Sequence, residues 1–314
     1  MSGQNFSKLN LFLAGIILFS LLLFPNISLG TGLPKFQFVD VLLPFVMVLL
    51  FIQRQVLKWQ LIYKLLIIFG LYGLLVIAIN SRLSEVRDYF ELYKTSKFGV
   101  IILFFTLIDY KLLYKLWVKP IFVLVVIGNL IHYFELFDLN QILDKHYGGG
   151  VHIQFFGLNS LGEPVVKRMV GFAGNPNMNS IIFGFFSVLF IPAKGKSELQ
   201  FGWFFSALFM FFLCQSRTNF IAIIVVLLFL FFWKKNELKF NFKIAGVVIA
   251  SFLMSFLLSS NTYINSLFDK DLSQNTSLMG RVEVWKFLWG MIKEKPIFGY
   301  APNKEFFYER ELYA

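Results

Sequence analysis

Nine apolar runs, most of them close to the length that crosses a bilayer, succeed one another along this chain with only short polar connectors between several of them. About 20 helical residues cross about 30 Å of hydrocarbon. The runs lie near 9–29, 36–52, 61–80, 98–109 with its flanks, 120–137, 178–193, 201–214, 220–233 and 244–260. With 57% hydrophobic residues, 15% charged and 42 phenylalanines among 314 residues, the chain lacks the polar surface that an ordinary water-soluble domain requires. The expected fold is therefore all-α and polytopic, with about nine transmembrane helices in residues 1–260. Residues 261–314 are expected to begin a large outer loop that continues beyond Ala314. The first run is preceded by Lys8 and followed by "FPNISLG", a poor cleavage site, so it is read as a retained span.

The net charge of +11 would suggest nucleic acid as the partner of a soluble protein, but here its placement decides. With the N-terminus inside, the short inner segments hold Lys8, Arg54, Lys58, Lys111, Lys115, Lys119, Lys194, Lys196, Lys234, Lys235, Lys239 and Lys243. The outer segments mix their signs, as in "SRLSEVRDYFELYKTSK". Dense lysine in short loops marks the cytoplasmic side, which leaves the segment after the ninth run outside. Membrane lipids are the expected surroundings and nucleic acid is not an expected partner. The single Cys214 permits no intrachain disulfide.

Three outer segments exceed a hairpin. Residues 81–97 carry Val86, Tyr89, Phe90 and Tyr93 at helical spacing, which predicts an amphipathic helix at the interface or re-entering it. Residues 138–177 contain Gly148, Gly149 and Gly150, which break any helix, and an alternating "VHIQF" that can form a short strand. In the third, Trp285, Leu288, Trp289 and Ile292 recur at i, i+3, i+4 and i+7, predicting a helix that lies flat with its indoles at headgroup depth. Pro296 stops that helix.

Arg281 lies four residues before Trp285, on the same helical face. Arg168, in "KRMVGFAGNPN", precedes the sixth run, and Arg217, in "CQSRTNF", occupies the tight outer turn between the seventh and eighth. Three arginines at outer span ends can converge on one anion, and the guanidinium fork suits phosphate oxygens better than an ammonium does. Each can equally snorkel to headgroups by itself. In "GFAGNPNMNS", Gly171 and Gly174 let the backbone pass close to a neighbour, Pro176 fits a helix start, and Asn177 or Asn179 can cap the following helix. Asp40, an acid inside the second run, must be paired or face a cavity, or reach water or Lys35.

"RMVGFAGNPN", "SRTNFIAIIVVLLFLFF" and "GRVEVWKFLWGMIKEKPIFGYAPNKEF" together resemble successive signatures of the bacterial O-antigen ligase and O-antigen polymerase superfamily of membrane glycosyltransferases. The resemblance spans roughly residues 168–307. It implies a protein of the bacterial cytoplasmic membrane that transfers a glycan from an undecaprenyl-diphosphate carrier on the outer face, to a growing polysaccharide or to an acceptor such as lipid A core. It assigns the donor diphosphate to Arg168, Arg217 and Arg281, with Trp285, Asn177 and Gly299 in support. Ligases of the family carry a proposed catalytic histidine later in the large periplasmic loop; no histidine lies between Asn261 and Ala314, and His146 and His152 belong to a different loop. No catalytic base is assigned among Glu283, Glu305, Glu309 and Glu311. No metal cluster is evident, and the expectation is metal-independent transfer without a cofactor, because fixed guanidiniums can stabilise the departing diphosphate.

A transporter or flippase of lipid-linked sugars is the alternative, since it too would have many spans and basic patches. Such a protein would show repeated halves with charges and Gly/Pro breaks near midspan, and neither stands out. The inside-N topology is tested with single cysteines at Lys235 and Lys270 in a Cys214-free background. An impermeant thiol reagent applied to intact cells should spare the first and label the second; the reverse pattern would overturn the scheme.

Overall fold

A computed structural model describes residues 3–24, 36–53, 61–134, 136–138, 168–192, 199–234, 242–258 and 276–300. Ten helices carry the regular structure of these residues: α1 (Gly3–Leu23), α2 (Phe38–Ile52), α3 (Leu61–Ile79), α4 (Val86–Phe105), α5 (Tyr110–Tyr133), α6 (Pro176–Leu189), α7 (Leu199–Leu213), α8 (Arg217–Lys234), α9 (Phe242–Leu258) and α10 (Thr276–Glu294). Among the described residues only α5 is both long and apolar enough to cross a membrane by itself, and six other apolar helical segments are shorter. The Gly148–Gly150 break, the "VHIQF" stretch, His146, His152, Lys35, Glu305, Glu309 and Glu311 fall outside the described residues.

Three boundaries differ from those expected, the first being α1, which begins at Gly3, six residues before its run. The amphipathic stretch 81–97 and the fourth apolar run are one helix, α4, whose charged first half continues without a break into the apolar half from Phe98. Helical spacing persists through Lys97 because that lysine is buried against a partner and does not end the helix. α5 starts at Tyr110, ten residues before the run that marks it, and takes a π turn over Tyr114–Val118. Pro120 follows that turn; lacking an N–H and crowding the carbonyl four residues back, it gives the wider turn a physical cause.

The chain divides into two compact units. The first combines Met1–Ile17, Leu29–Leu113 and Lys270–Ala314, and the second combines Leu18–Ser28 with Tyr114–Asp269. In the first unit α3 and α4 form an antiparallel hairpin. A Cβ on Gly73 would lie 2.4 Å from a Leu92 methyl, and one on Gly99 would lie 2.0 Å from a Leu66 methyl. Each helix thus seats a leucine over the other's glycine, the small-residue contact that lets apolar helices approach closely. Arg82 Nε closes the hairpin on the fully buried Asp88 carboxylate at 2.7 Å.

α2 joins α4 through charge. Asp40 Oδ2 accepts the Gln37 backbone N–H at 2.7 Å at the start of α2, while its Oδ1 accepts Lys97 Nζ at 2.8 Å and the Tyr93 hydroxyl at 2.9 Å. Lys97 Nζ also donates to Gln37 Oε1 at 2.8 Å. Asp40 is therefore paired across the helices with Lys97, a partner that lies 57 residues away in sequence.

The second unit is built on aromatic packing. α7 lies between α6 and α9. Phe122 of α5 meets Phe186 of α6 at a ring-centroid distance of 4.9 Å, Phe190 just past the end of α6 at 4.8 Å and Trp203 of α7 at 5.8 Å, within the range of favourable ring contacts. Fully buried Phe204, Leu208 and Met210 continue this core along α7.

Removing one member of the Asp40–Lys97 pair strands the other at 4% or 9% side-chain exposure. Lys97→Met and Asp40→Leu should each lower stability by about 3–5 kcal/mol, and the double substitution by clearly less than the sum. Thermal unfolding in detergent measures both; additive losses would contradict a direct pair.

Candidate functional site

The segment 168–180 and the turn 214–219 meet at one corner of the second unit. Leu213 ends α7, and its carbonyl accepts the Met169 N–H at 3.0 Å. One residue on, the carbonyl of Cys214 accepts Arg168 Nε at 3.2 Å, and the same guanidinium donates to Asn177 Oδ1 at 3.2 Å. Gln215, at φ 51°, reverses the chain, and Ser216 passes it into α8, which begins at Arg217. The Arg168 guanidinium is thus held at a carbonyl three residues before Arg217, the first residue of α8.

Local chemistry explains the arrangement. Asn175 caps α6: its side chain accepts the Asn177 N–H at 2.8 Å, and Pro176 supplies the first helical residue. The cap expected at Asn177 or Asn179 therefore lies at Asn175, the residue before Pro176, because capping requires an extended backbone and both other asparagines are already helical. They are used differently. Asn177 Oδ1 receives Arg168, while Asn179 Nδ2 donates to Asn129 Oδ1 of α5 at 2.9 Å in the buried interior. Gly171 passes directly over that amide pair. It has φ +60°, and a Cβ there would stand 1.8 Å from Asn129 Oδ1 and 2.5 Å from Asn179 Nδ2. Gly174 is also left-handed, at φ 67°.

Asn219, two residues after Arg217, donates to the Asn177 carbonyl at 2.7 Å and to the Ser180 hydroxyl. It ties the first turns of α6 and α8 together. Neither first turn holds an acidic residue. Two helix N-termini bring partial positive charge to this corner, where Arg168 adds a full charge, and the arrangement suits an anion. The buried Ser216 hydroxyl has no hydrogen-bond partner among the described residues. Asn219 lies in the "SRTNF" stretch but was given no role there, and Asn129 carried no motif; its only signal was a polar amide on an otherwise apolar helix.

Arg281, Trp285 and Gly299 lie in the first unit, and Arg281 falls in the second turn of α10. The helix ends at Glu294, two residues before Pro296. Trp285 is 69% exposed and Trp289 59%. Leu288 departs from the expected indole face: it is half-buried beside Val284, Phe287 and the buried Met291 on the inward side. The 19-residue helix has an apolar stripe on each side, and only the tryptophan stripe, with Ile292, stays open. Gly299, at φ 57°, turns the chain after the helix.

The corner depends on Gly171 having no side chain. Gly171→Ala should sharply reduce folded protein in the membrane, whereas Gly184→Ala, whose Cβ would meet Phe211 at an ordinary 3.4 Å, should not. Fluorescence-detected size-exclusion of the two variants checks this, and equal yields would contradict the close approach.

Residues 202–314, which hold Arg217, Arg281, Trp285 and Gly299, match the family model described as O-antigen ligase. Searches of curated proteins and of solved structures returned no match. The matched segment, which runs from within α7 to Ala314 and includes two of the three signature stretches, is similar to the O-antigen ligase family over that part of the chain.

Proposed function

We propose that this protein is a multi-pass enzyme of the bacterial cytoplasmic membrane, N-terminus inside, that transfers a glycan from an undecaprenyl-diphosphate carrier at the outer face. The family match supports a glycosyltransferase-like role in polysaccharide assembly. A bilayer as solvent is supported by the outward faces of the helices. Phe45, Phe51, Leu71, Phe185, Ile221 and Phe232 stand exposed on α2, α3, α6 and α8, far beyond the apolar area a water-soluble monomer displays.

The observation that carries the reading is the corner where Arg168 is held by Asn177 and by the carbonyl of Cys214, three residues before Arg217, between two helix N-termini that lack acids. In the transfer, an acceptor hydroxyl attacks the anomeric carbon of the glycan, and the bond from that carbon to the diphosphate oxygen breaks. The hydroxyl proton passes to a base, and undecaprenyl diphosphate leaves with the electron pair. Arg168 and Arg217 meet the charge that grows on the departing diphosphate. Arg168, already held by the Cys214 carbonyl and Asn177, needs no reorganisation at that moment, the condition under which electrostatic stabilisation is most effective. Asn177 orients the Arg168 fork, and Arg281 takes its phosphate-contacting role from the motif in α10, whose open tryptophan stripe suits the headgroup layer. The acceptor is a glycan or a lipid.

Arg168→Lys, Arg217→Lys and Arg281→Lys each keep the charge and lose the planar fork. A charged hydrogen bond contributes about 1.5–3 kcal/mol, so transfer should fall roughly ten- to a hundredfold in each variant at an unchanged membrane level. Undiminished turnover in all three, measured with the lipid-linked donor, would show that these arginines only reach for headgroups.

A further inference from the structure

The end of α3 grips the turn that follows α10. Asn80 is the C-cap of α3, where Arg82 N–H bonds the Ile77 carbonyl at 3.0 Å and Ser81 N–H bonds the Ala78 carbonyl at 3.0 Å, with Ser81 in the left-handed region at φ 55°. This double closure fixes the Asn80 backbone. Its side-chain amide is then fully used: Nδ2 donates to the Val76 carbonyl at 2.9 Å and to the Tyr300 carbonyl, and Oδ1 accepts Lys295 Nζ at 2.7 Å. Two helical turns earlier, the Tyr72 hydroxyl donates to the Ile297 carbonyl.

The turn is shaped to be held. Lys295 N–H still bonds the Met291 carbonyl at 3.0 Å, and Gly299 N–H bonds the Lys295 carbonyl at 3.1 Å, which brings Lys295 Nζ to 4.7 Å from the centre of the Tyr300 ring. The Tyr300 hydroxyl reaches back to Glu294 Oε2. Nothing lies within 4 Å of a Cβ built on Gly299, so glycine is needed there for its φ of +57° and not for space. Two of the captured groups are backbone carbonyls, so α3 recognises the shape of the Lys-Pro-Ile-Phe-Gly-Tyr turn as well as its lysine.

We propose that Asn80 and Tyr72 form a clasp that sets the position of α10 against the α3–α4 hairpin, and that Asn80 is a positioning residue for donor use. The second half rests on the reading of α10 as the helix that brings Arg281 to the donor. Asn80 touches no reacting atom in this account; it acts by holding the helix that carries Arg281. The clasp also accounts for a proline and a glycine after a helix whose own sequence needs only one stop.

Two readouts on the protein in native membranes separate the parts. Hydrogen exchange of residues 295–300 should accelerate about tenfold in Asn80→Ala and in Lys295→Ala, and the double variant should exchange no faster than the faster single, because the two share one contact. Gly299→Ala should loosen the same stretch more than Gly299→Asn, since asparagine tolerates the left-handed region. With the lipid-linked donor, Asn80→Ala should raise KM about tenfold while kcat and protein level hold. Unchanged exchange at 295–300 would overturn the clasp. Faster exchange with an unchanged KM would leave the clasp as a fold device and overturn its positioning role. A wild-type protein that transfers no glycan would defeat the transferase reading and with it the positioning role, and the exchange result would still decide the clasp.

Discussion

Buried polar side chains are scarce in this chain, and one without a partner costs about 1–3 kcal/mol or more, so pairs among them fix which helix ends lie together. Asn10 of α1 and the residue after α2, Gln53, exchange two amide hydrogen bonds at 2.9 and 3.1 Å. Asp40 joins the start of α2 to Lys97 of α4, and Arg82 joins the end of α3 to Asp88. Asn129, Asn179, Arg168 and Asn219 do the same in the second unit. Each of these contacts joins ends that the lysine distribution assigns to one membrane face. The apolar packing between them is permissive, since phenylalanine meets phenylalanine in many registers, and the polar contacts select one.

Much of this was legible in the sequence because length and hydropathy depend on composition over a window. The helices α2, α3, α6, α7, α8 and α9 lie where the apolar runs lie, and the stops at Pro296 and the start at Pro176 follow from one residue each. The partner of Asp40 was not legible: Lys97 is remote in sequence, sits in a stretch that reads as interfacial, and is visible as a partner only once α2 and α4 are side by side. The cap at Asn175 was misplaced by two or four residues because three asparagines in five positions all satisfy the compositional preference, and only backbone geometry separates them.

The candidate site divides in the same way. Arginine at an outer span end is a readable signal, and Arg168 is held at the turn that leads into Arg217. The close approach at Gly171 was legible in its motif, but the partners that hold the corner, Asn129, Asn179 and Asn219, act through contacts 8 to 50 residues apart that no motif reveals. The tail signature reads differently with the fold in view. Its tryptophans face outward as expected, whereas its proline and glycine serve a turn that α3 holds through Asn80 and Tyr72.

The central claim is that the glycan leaves its carrier at this protein. Purified protein reconstituted in liposomes with a radiolabelled undecaprenyl-diphosphate glycan and an acceptor measures it directly. The account predicts that label moves to the acceptor while free undecaprenyl diphosphate appears in equal amount, and that Arg168→Lys together with Arg217→Lys suppresses both. Label that stays on its carrier and merely changes leaflet would contradict the account and make the protein a transporter of lipid-linked sugars.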